Sequence, residues 1–547
     1  MVVPSSLLSA IKEILLVSAA ILVGVKLIRE AFSPLRHVPG PWYTRFTDVV
    51  RKYHAWRHKE HHYFIRMFEQ YGPIVRVGPN KIGVGEITMF RKMMSSHEMT
   101  KSQMYTDFSA VGENVFTTRK PEFNKARRRQ IGPAFSSAYV RKMEPLIMSE
   151  GVERVCQLFD AQISASKGEA GVQNRPARTN LYYAFTMMAT DVISSLAYGR
   201  CFGAVDTLMS KIVPEGIPQP PNSDNQQDPA QQIGQFEAQE TPQTILGYML
   251  GTMMLMGLMA EAPYIDKVSL RLLPQKIRQL YVLRDKFMRF TCDTVDRYRQ
   301  WMLEKGSRND ILSAYITAQD PETGATMSTH EIASESTVLL AAGTDTTANL
   351  MVNCVRLLLR HPDKYAQVKA ELRTAFPNGP STITYAEALS KLPYLNAVIY
   401  ETMRLRASTS GVWPRDAPRH TGVSIGGYFV PPGTVICGSI GGVHLNPETW
   451  PLPKTFVPER FLGEAGELRK RDVVAFSAGI RVCPGRHLAM MELTMTLSTV
   501  LLKYDFALAD GAVSSGYFDE VDESCHITTT FSQPDRDCNF IISHAQQ

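Results

Sequence analysis

Phe476-Ser-Ala-Gly-Ile-Arg-Val-Cys-Pro-Gly-Arg-His-Leu-Ala489 places one cysteine, Cys483, in a turn punctuated by glycine and arginine that runs into an apolar helical stretch. Gly479 and Gly485 let the backbone wrap closely around the sulfur, and Pro484 suits the first turn of the following helix. Cys483 is therefore expected at the positive end of a helix, where a thiolate is stabilised. Phe476 offers an apolar face to cover the sulfur. Arg481, two residues before the cysteine, can turn its guanidinium toward a carboxylate at the rim. An anion with a cation at its edge describes a ligand site better than an ordinary buried thiol.

Phe476, Gly479, Arg481, Cys483 and Gly485 occupy every fixed position of the pattern F-x-x-G-x-R-x-C-x-G. On these residues the chain resembles the cytochrome P450 superfamily, over about residues 38 to 540. The resemblance implies a mainly α fold with small β-sheets (α+β), built as one large helical haem domain. It also implies haem b as cofactor, with Cys483 as the axial thiolate on the iron and Arg481 on a haem propionate.

A length of 547 residues ordinarily suggests several domains, yet no linker divides the chain, and motifs that must share one cofactor lie more than 350 residues apart. One catalytic domain over 43–547 is expected, after an anchor at 1–33 and a proline-rich connector at 34–42. Eight cysteines show no C-x-x-C pair and no zinc-ligand spacing, and read as reduced thiols of a cytosol-facing protein. A net charge of +6 with 44% apolar residues suits an acidic partner face or an anionic membrane surface. It is too diffuse for nucleic acid.

Leu7 to Ile28 is mostly apolar, broken by Lys12-Glu13 and edged by Lys26 and Arg29. Its uninterrupted core, Ile14 to Val25, is twelve residues, so a spanning helix requires Lys26 to snorkel. A cleaved signal peptide is the competing reading. The expectation is an uncleaved single-pass transmembrane helix in the endoplasmic reticulum membrane, with the catalytic domain in the cytosol. His37-Val-Pro-Gly-Pro-Trp42 cannot be helical and is expected as a stiff connector. Tyr71 to Val84 alternates β-branched residues with turn signals and predicts a hairpin. Helices are expected over Tyr139 to Phe159 and Thr179 to Leu196, followed by a run from Pro214 to Gln243 too hydrophilic to pack. Ile245 to Met259 carries five methionines in fifteen residues. They serve either core packing or, by the order of segments in the family, a lid over the substrate pocket.

Leu340-Ala-Ala-Gly-Thr-Asp-Thr-Thr-Ala348 lies within a helical run from His330 to Arg360. Gly343 costs about 1 kcal/mol of helix stability relative to Ala, and the hydroxyls compete for backbone carbonyls. Such a segment suggests a functional groove in which small residues admit a flat ligand. It resembles the oxygen-activation motif of the family, which assigns Asp345 as the acid and Thr346 as the alcohol that deliver protons. Arg127-Arg128-Arg129 opens another helix. By position Arg128 matches the propionate arginine of the family, the other two being expected on a solvated face. Asn124 stands where the family usually carries Trp or His. Glu401 and Arg404 are three apart on one helix face and, with Arg460, resemble the trio that locks the segment leading to the cysteine. Arg415, in Trp413-Pro-Arg415, offers a second propionate arginine, with Arg419 as the alternate.

The function expected from the resemblance is a membrane-anchored haem-thiolate monooxygenase acting on an apolar small molecule. No G-x-G-x-x-G follows a strand, so NADPH is expected to act through a separate NADPH-dependent flavoprotein reductase, with cytochrome b5 as a further donor. The style of the motifs resembles fungal members that tailor terpenoid or polyketide secondary metabolites. An O2-independent haem-thiolate isomerase or dehydratase, and a non-catalytic haem-binding protein, stay open.

Overall fold

The computed structural model describes residues 5–166, 176–212, 241–262, 265, 268–509, 523–525 and 528–546. The elements that frame the site begin with α1 (Ser5–Ala31), α2 (Glu60–Tyr71), β1 (Ile74–Gly78), β2 (Lys81–Val84), α3 (Ile87–Ser95) and α4 (Pro121–Ile131). The middle of the chain adds β3 (Ala177–Asn180), α5 (Leu181–Tyr198), α6 (Pro242–Glu261), α7 (Gln275–Lys305), α8 (Thr329–Arg360) and α9 (Pro393–Leu405). Then follow β4 (Val412–Asp416), β5 (Val423–Ile425), β6 (Tyr428–Val430), β7 (Val435–Ser439), α10 (Arg486–Lys503), β8 (Tyr504–Leu508), β9 (Glu523–Cys525), β10 (Thr529–Phe531) and β11 (Asn539–His544). This is the mainly α architecture with small sheets that the resemblance implies.

Helix α8 is the spine. Ser328 and Glu331 close a capping box at its start, satisfying N–H groups that the first turn leaves open. Its 32 residues pack against α5, α7, α9 and α10 around the largest apolar core. The predicted hairpin is present as β1 and β2, and it continues into a four-stranded sheet in the order β1-β2-β7-β4. Strand β7 runs parallel to β2 and antiparallel to β4, which carries Arg415 inward.

Two helix expectations change. The run from Tyr139 is broken into Ser137–Arg141, Glu144–Ile147, a π turn at Met148–Val152, and Glu153–Ala165. Pro145 lacks an N–H and disfavours helical backbone just before it, so one helix cannot cross it. Residues 177–180 form a strand against β11, and α5 starts only after Asn180 caps it. Most of the Pro214 to Gln243 run lies outside the described residues. The methionine-rich segment is α6, and it divides: Met249, Leu255 and Met259 are buried, whereas Leu250 and Met254 face solvent.

Among the described residues no helix is long and apolar enough to cross a membrane, so the expected single-pass helix finds no support there. The segment after it is no free tether either. Glu30 accepts from both terminal nitrogens of the buried Arg76 at 2.8 and 2.9 Å, and the Arg76 N–H donates to the Pro39 carbonyl at 2.7 Å. Short 3-10 turns at Pro34–His37 and Trp42–Arg45 flank the extended prolines.

Glu492, on α10 just beyond the cysteine turn, is buried with one carboxyl oxygen lacking a partner. Burial pushes its pKa up to about 8. The folded chain holds this carboxyl neutral while the unfolded chain ionises it. Its contribution to stability is therefore full below the ordinary carboxylate range and is lost as pH rises toward 8. We expect Glu492→Gln to melt about 2–4 °C above the parent at neutral pH, with the difference vanishing in mildly acidic buffer. Thermal denaturation across that pH range checks the sign.

Candidate functional site

The turn ahead of α10 is shaped by sterics. Ser477 and Gly479 both take left-handed backbone, at φ 62° and 56°. A Cβ on Gly479 would stand 2.1 Å from Ser95 Oγ and 2.8 Å from Ser95 Cα, so α3 leaves room only for glycine. The Cys483 N–H donates to the Phe476 carbonyl at 2.8 Å, closing the loop under the sulfur. Helix α10 begins at Arg486 after Gly485, so Pro484 precedes the helix instead of opening it. Cys483 is exposed in area, yet its sulfur is recessed among protein atoms. Burial pushes the thiol pKa up, against the Gly485 N–H and Arg128, which pull it down. The expected stabilisation of the thiolate by the turn is thus outweighed by desolvation.

Around this turn the fold gathers positive charge. Arg128 Nη1 on α4 donates to the Val482 carbonyl at 3.0 Å, immediately before the cysteine. Arg481 donates to Asn124 Oδ1 at 2.8 Å, and Asn124 donates to the Val115 carbonyl at 3.0 Å. Asn124 therefore orients Arg481. Arg415, 2% exposed, reaches the Tyr105 hydroxyl at 2.5 Å, while Arg419 is exposed at the surface. Lys101 joins them, a residue that sequence reading missed. It bridges to Arg415 through the backbone, and its Nζ donates to the Val115 and Phe116 carbonyls at 2.9 and 2.6 Å. Lone lysines carry no local signal, and only the fold brings this one in.

These cations repel one another. Burial, then Arg415 and Arg128, lower the Arg481 pKa to about 10. Burial, then Arg415, Arg481 and Arg128, push Lys101 well below its usual range, with Glu335 the opposing anion. The Nε atoms of Arg128, Arg415 and Arg481 are buried without a partner. A protein does not leave such a cluster uncompensated, because unpaired buried charge costs several kcal/mol. Two carboxylates of a bound group would satisfy it. The donor set, one exposed cysteine beside this cluster, fits a haem with a thiolate ligand and two propionates.

Arg127 leaves the expected solvated face, whereas Arg129 stays partly exposed. Arg127 is buried against Glu331 and Glu335 of α8, and Arg129 pairs with Asp320 at 2.7 Å and Glu322 at 3.1 Å. Glu401, Arg404 and Arg460 meet as the sequence suggests. Arg404 makes two 2.8 Å bonds to the Glu401 carboxylate, and Arg460 Nε lies 3.3 Å from it. Arg404 also donates to the carbonyls of His444, Pro453 and Thr455, fastening α9 to the segment that leads to the cysteine.

On α8 the threonines separate. Thr344 and Thr347 are buried, whereas Thr346 is partly open and its hydroxyl donates to the Ala342 carbonyl at 2.7 Å. Ser408 Oγ donates to the Thr346 carbonyl at 2.6 Å. Burial raises the Asp345 pKa. Gly343 does not serve ligand approach as expected: a Cβ there would lie 2.7 Å from Ile193, so the glycine allows α5 to pack against α8. Ala342 is the small residue on the exposed side.

With haem-loaded protein we expect Arg415→Leu, and to a lesser degree Lys101→Met, to speed haem transfer to apomyoglobin by roughly tenfold, since a charged hydrogen bond contributes about 1.5–3 kcal/mol. Arg419→Leu should match the parent. Absorbance of the acceptor reports this without turnover.

The chain matches the cytochrome P450 family over residues 38–515. It is similar to cytochrome P450 monooxygenase helB1 of Aspergillus fumigatus, 29% identical over 545 residues, covering 97% of this chain and 86% of that one. Cytochrome P450 monooxygenase AKT7 of Alternaria alternata is 28% identical over 512 residues, covering 90% and 89%. The crystal structure of the cytochrome P450DA heme domain shares the fold at a TM-score of 0.70 and 18% identity, covering 93% of this chain and 97% of that one. With the cysteine turn, its buried cations and the Glu401–Arg404–Arg460 knot in place, the chain belongs to the cytochrome P450 family.

Proposed function

We propose that this P450 monooxygenase inserts one oxygen atom from O2 into an apolar small molecule, a terpenoid or polyketide secondary metabolite, with electrons from NADPH through a separate flavoprotein reductase. Cytochrome b5 serves as a second donor. The observation that carries this reading is the exposed residue Cys483 beside a buried, under-neutralised group of cations. Bound haem would supply the redox chemistry, held by Cys483 as its thiolate ligand. Lys101, Arg128, Arg415 and Arg481 hold the propionates. Asp345, its pKa raised by burial, keeps a proton to higher pH than an ordinary carboxyl, and the Thr346 hydroxyl passes protons onward in the cleft. Adaptable methionines of α6 form the lid over the substrate.

The enzyme associates with the cytosolic face of the endoplasmic reticulum by a helix lying in the interface. Residues of α1 such as Ile14, Leu16 and Ile21 are exposed, and Phe32 and Trp42 follow at 82% and 75% exposure. In this reading residues 1–33 are the membrane-facing part, 34–42 the connector and 43–547 the catalytic domain.

Turnover with reductase, NADPH and fungal metabolite extract, followed by mass spectrometry with 18O2, tests the reaction. Thr346→Ala should cut product per NADPH by about tenfold and release hydrogen peroxide instead, because proton delivery fails while electron delivery continues. Thr347→Ala should couple normally. Equal coupling in Thr346→Ala and the parent would reject the assignment.

Reductase docking is assigned to a groove of about 820 Å³ lined by Phe476, Gly479 and Val482, with exposed Arg471 and Arg486 on its rim. Raising ionic strength from about 0.05 to 0.5 M shortens the screening length from roughly 14 to 4 Å and should slow reduction by the reductase. Arg471→Glu with Arg486→Glu should reproduce that slowing in stopped-flow at low salt. Peroxide-driven turnover should stay within about twofold.

A further inference from the structure

Arg406 and Glu523 form a buried ion pair outside the machinery described above. Arg406 directly follows α9 and is 8% exposed, Glu523 opens β9 and is 7% exposed, and guanidinium and carboxylate approach to 3.2 Å. Burying both charges seldom adds net stability, so the pair is better understood through what it positions.

Strands β9 and β10 form a ribbon of two strands, an arrangement that is marginal without support from elsewhere. The support comes from two sides. On one, Lys59 Nζ donates to the Glu523 carbonyl at 2.5 Å and the Cys525 N–H donates to the His58 carbonyl at 2.8 Å. On the other, the Thr529 N–H donates to the Ser408 carbonyl at 2.7 Å and the Ser410 N–H donates to Thr529 Oγ1 at 3.2 Å. Ser408 is the residue whose hydroxyl holds the Thr346 carbonyl at 2.6 Å. Phe531, the cross-strand partner of Glu523, meets the Tyr182 ring edge-on at 6.0 Å, and Tyr182 lies within the field of Asp345.

We propose that Arg406 and Glu523 are positioning residues for proton delivery: their ion pair clasps the β9–β10 ribbon to residues 406–410, and Ser408 thereby holds the α8 turn that carries Thr346. The pair connects two segments 117 residues apart at the point where both reach α8. Released, the ribbon frees Ser408 from one of its braces, and the Thr346 turn gains freedom on the side where small ligands bind.

This rests on the haem-thiolate reading, and the test separates the two. Full-length haem-loaded protein is reduced and mixed with carbon monoxide as the probe. A parent lacking the thiolate-type Soret band of the ferrous–carbon monoxide complex would defeat the haem-thiolate reading itself. With that band present, Arg406→Gln and Glu523→Gln should keep it. They should change carbon monoxide rebinding after flash photolysis by at least about threefold and broaden the carbon monoxide stretching band, a shift worth over half a kcal/mol in barrier. Arg406→Lys, which keeps the charge, should rebind within about twofold of the parent. Ser408→Ala should reproduce the change, and Glu523→Gln with Ser408→Ala should show no more than the larger single effect, because both act along one path. Should the Gln variants fail to fold, Glu523→Asp, which withdraws the charge by one methylene, carries the same comparison. Parent-like rebinding in the Gln variants, effects that add to those of Ser408→Ala, or loss of the thiolate band would each overturn the proposal.

Discussion

Lys101, Arg128, Arg415 and Arg481 come from four separate stretches of chain and are brought together where the protein supplies Glu335 as the opposing anion. Like charges crowded into a region of low dielectric repel strongly, and each has given up part of its hydration. Much of the architecture maintains this unfavourable arrangement. Strand β4 pairs with β7 at the edge of the sheet and keeps Arg415 buried, Asn124 fixes Arg481, and two backbone carbonyls hold Lys101. The fold therefore stores a demand for a dianion, and binding one stabilises the folded chain by mass action.

The Glu401–Arg404–Arg460 knot applies the opposite solution to the same problem. Its carboxylate is buried, but two guanidinium groups and the Val457 N–H reach it, and Arg404 spends its remaining donors on three carbonyls. Nothing is left over for a ligand. Comparing the two clusters separates scaffold from site without reference to any relative: the knot is internally satisfied, and the cluster beside Cys483 is not. The knot also explains how a turn with two left-handed residues stays in place, since α9 is tied to the segment that leads into it.

Helix α8 combines both roles along one axis. Its N-terminal half takes the charges of Arg127 through Glu331 and Glu335, and its middle carries the open Thr346 and the half-buried Asp345. Gly343 lets α5 come close, so the glycine that lowers helix propensity serves packing. The same helix is thus rigid on its α5 side and accessible on the side of Ala342 and Thr346.

The sequence by itself determined what depends on near neighbours. The cysteine turn, the Glu401–Arg404 spacing, the helical run of α8 and the β1–β2 hairpin are all legible because backbone conformation and contacts three or four residues apart obey local rules. The α5 start and the break at Pro145 were within reach of the same rules, through the Asn180 cap and the missing proline N–H. Tertiary structure alone decided which arginine of the 415 and 419 pair is buried, that Arg127 pairs with α8, that Lys101 belongs to the site, and that Arg406 meets Glu523. Each of these joins residues far apart in the chain. Such pairing is set by how elements close and pack, and a side chain carries no local mark of the partner that folding will bring to it.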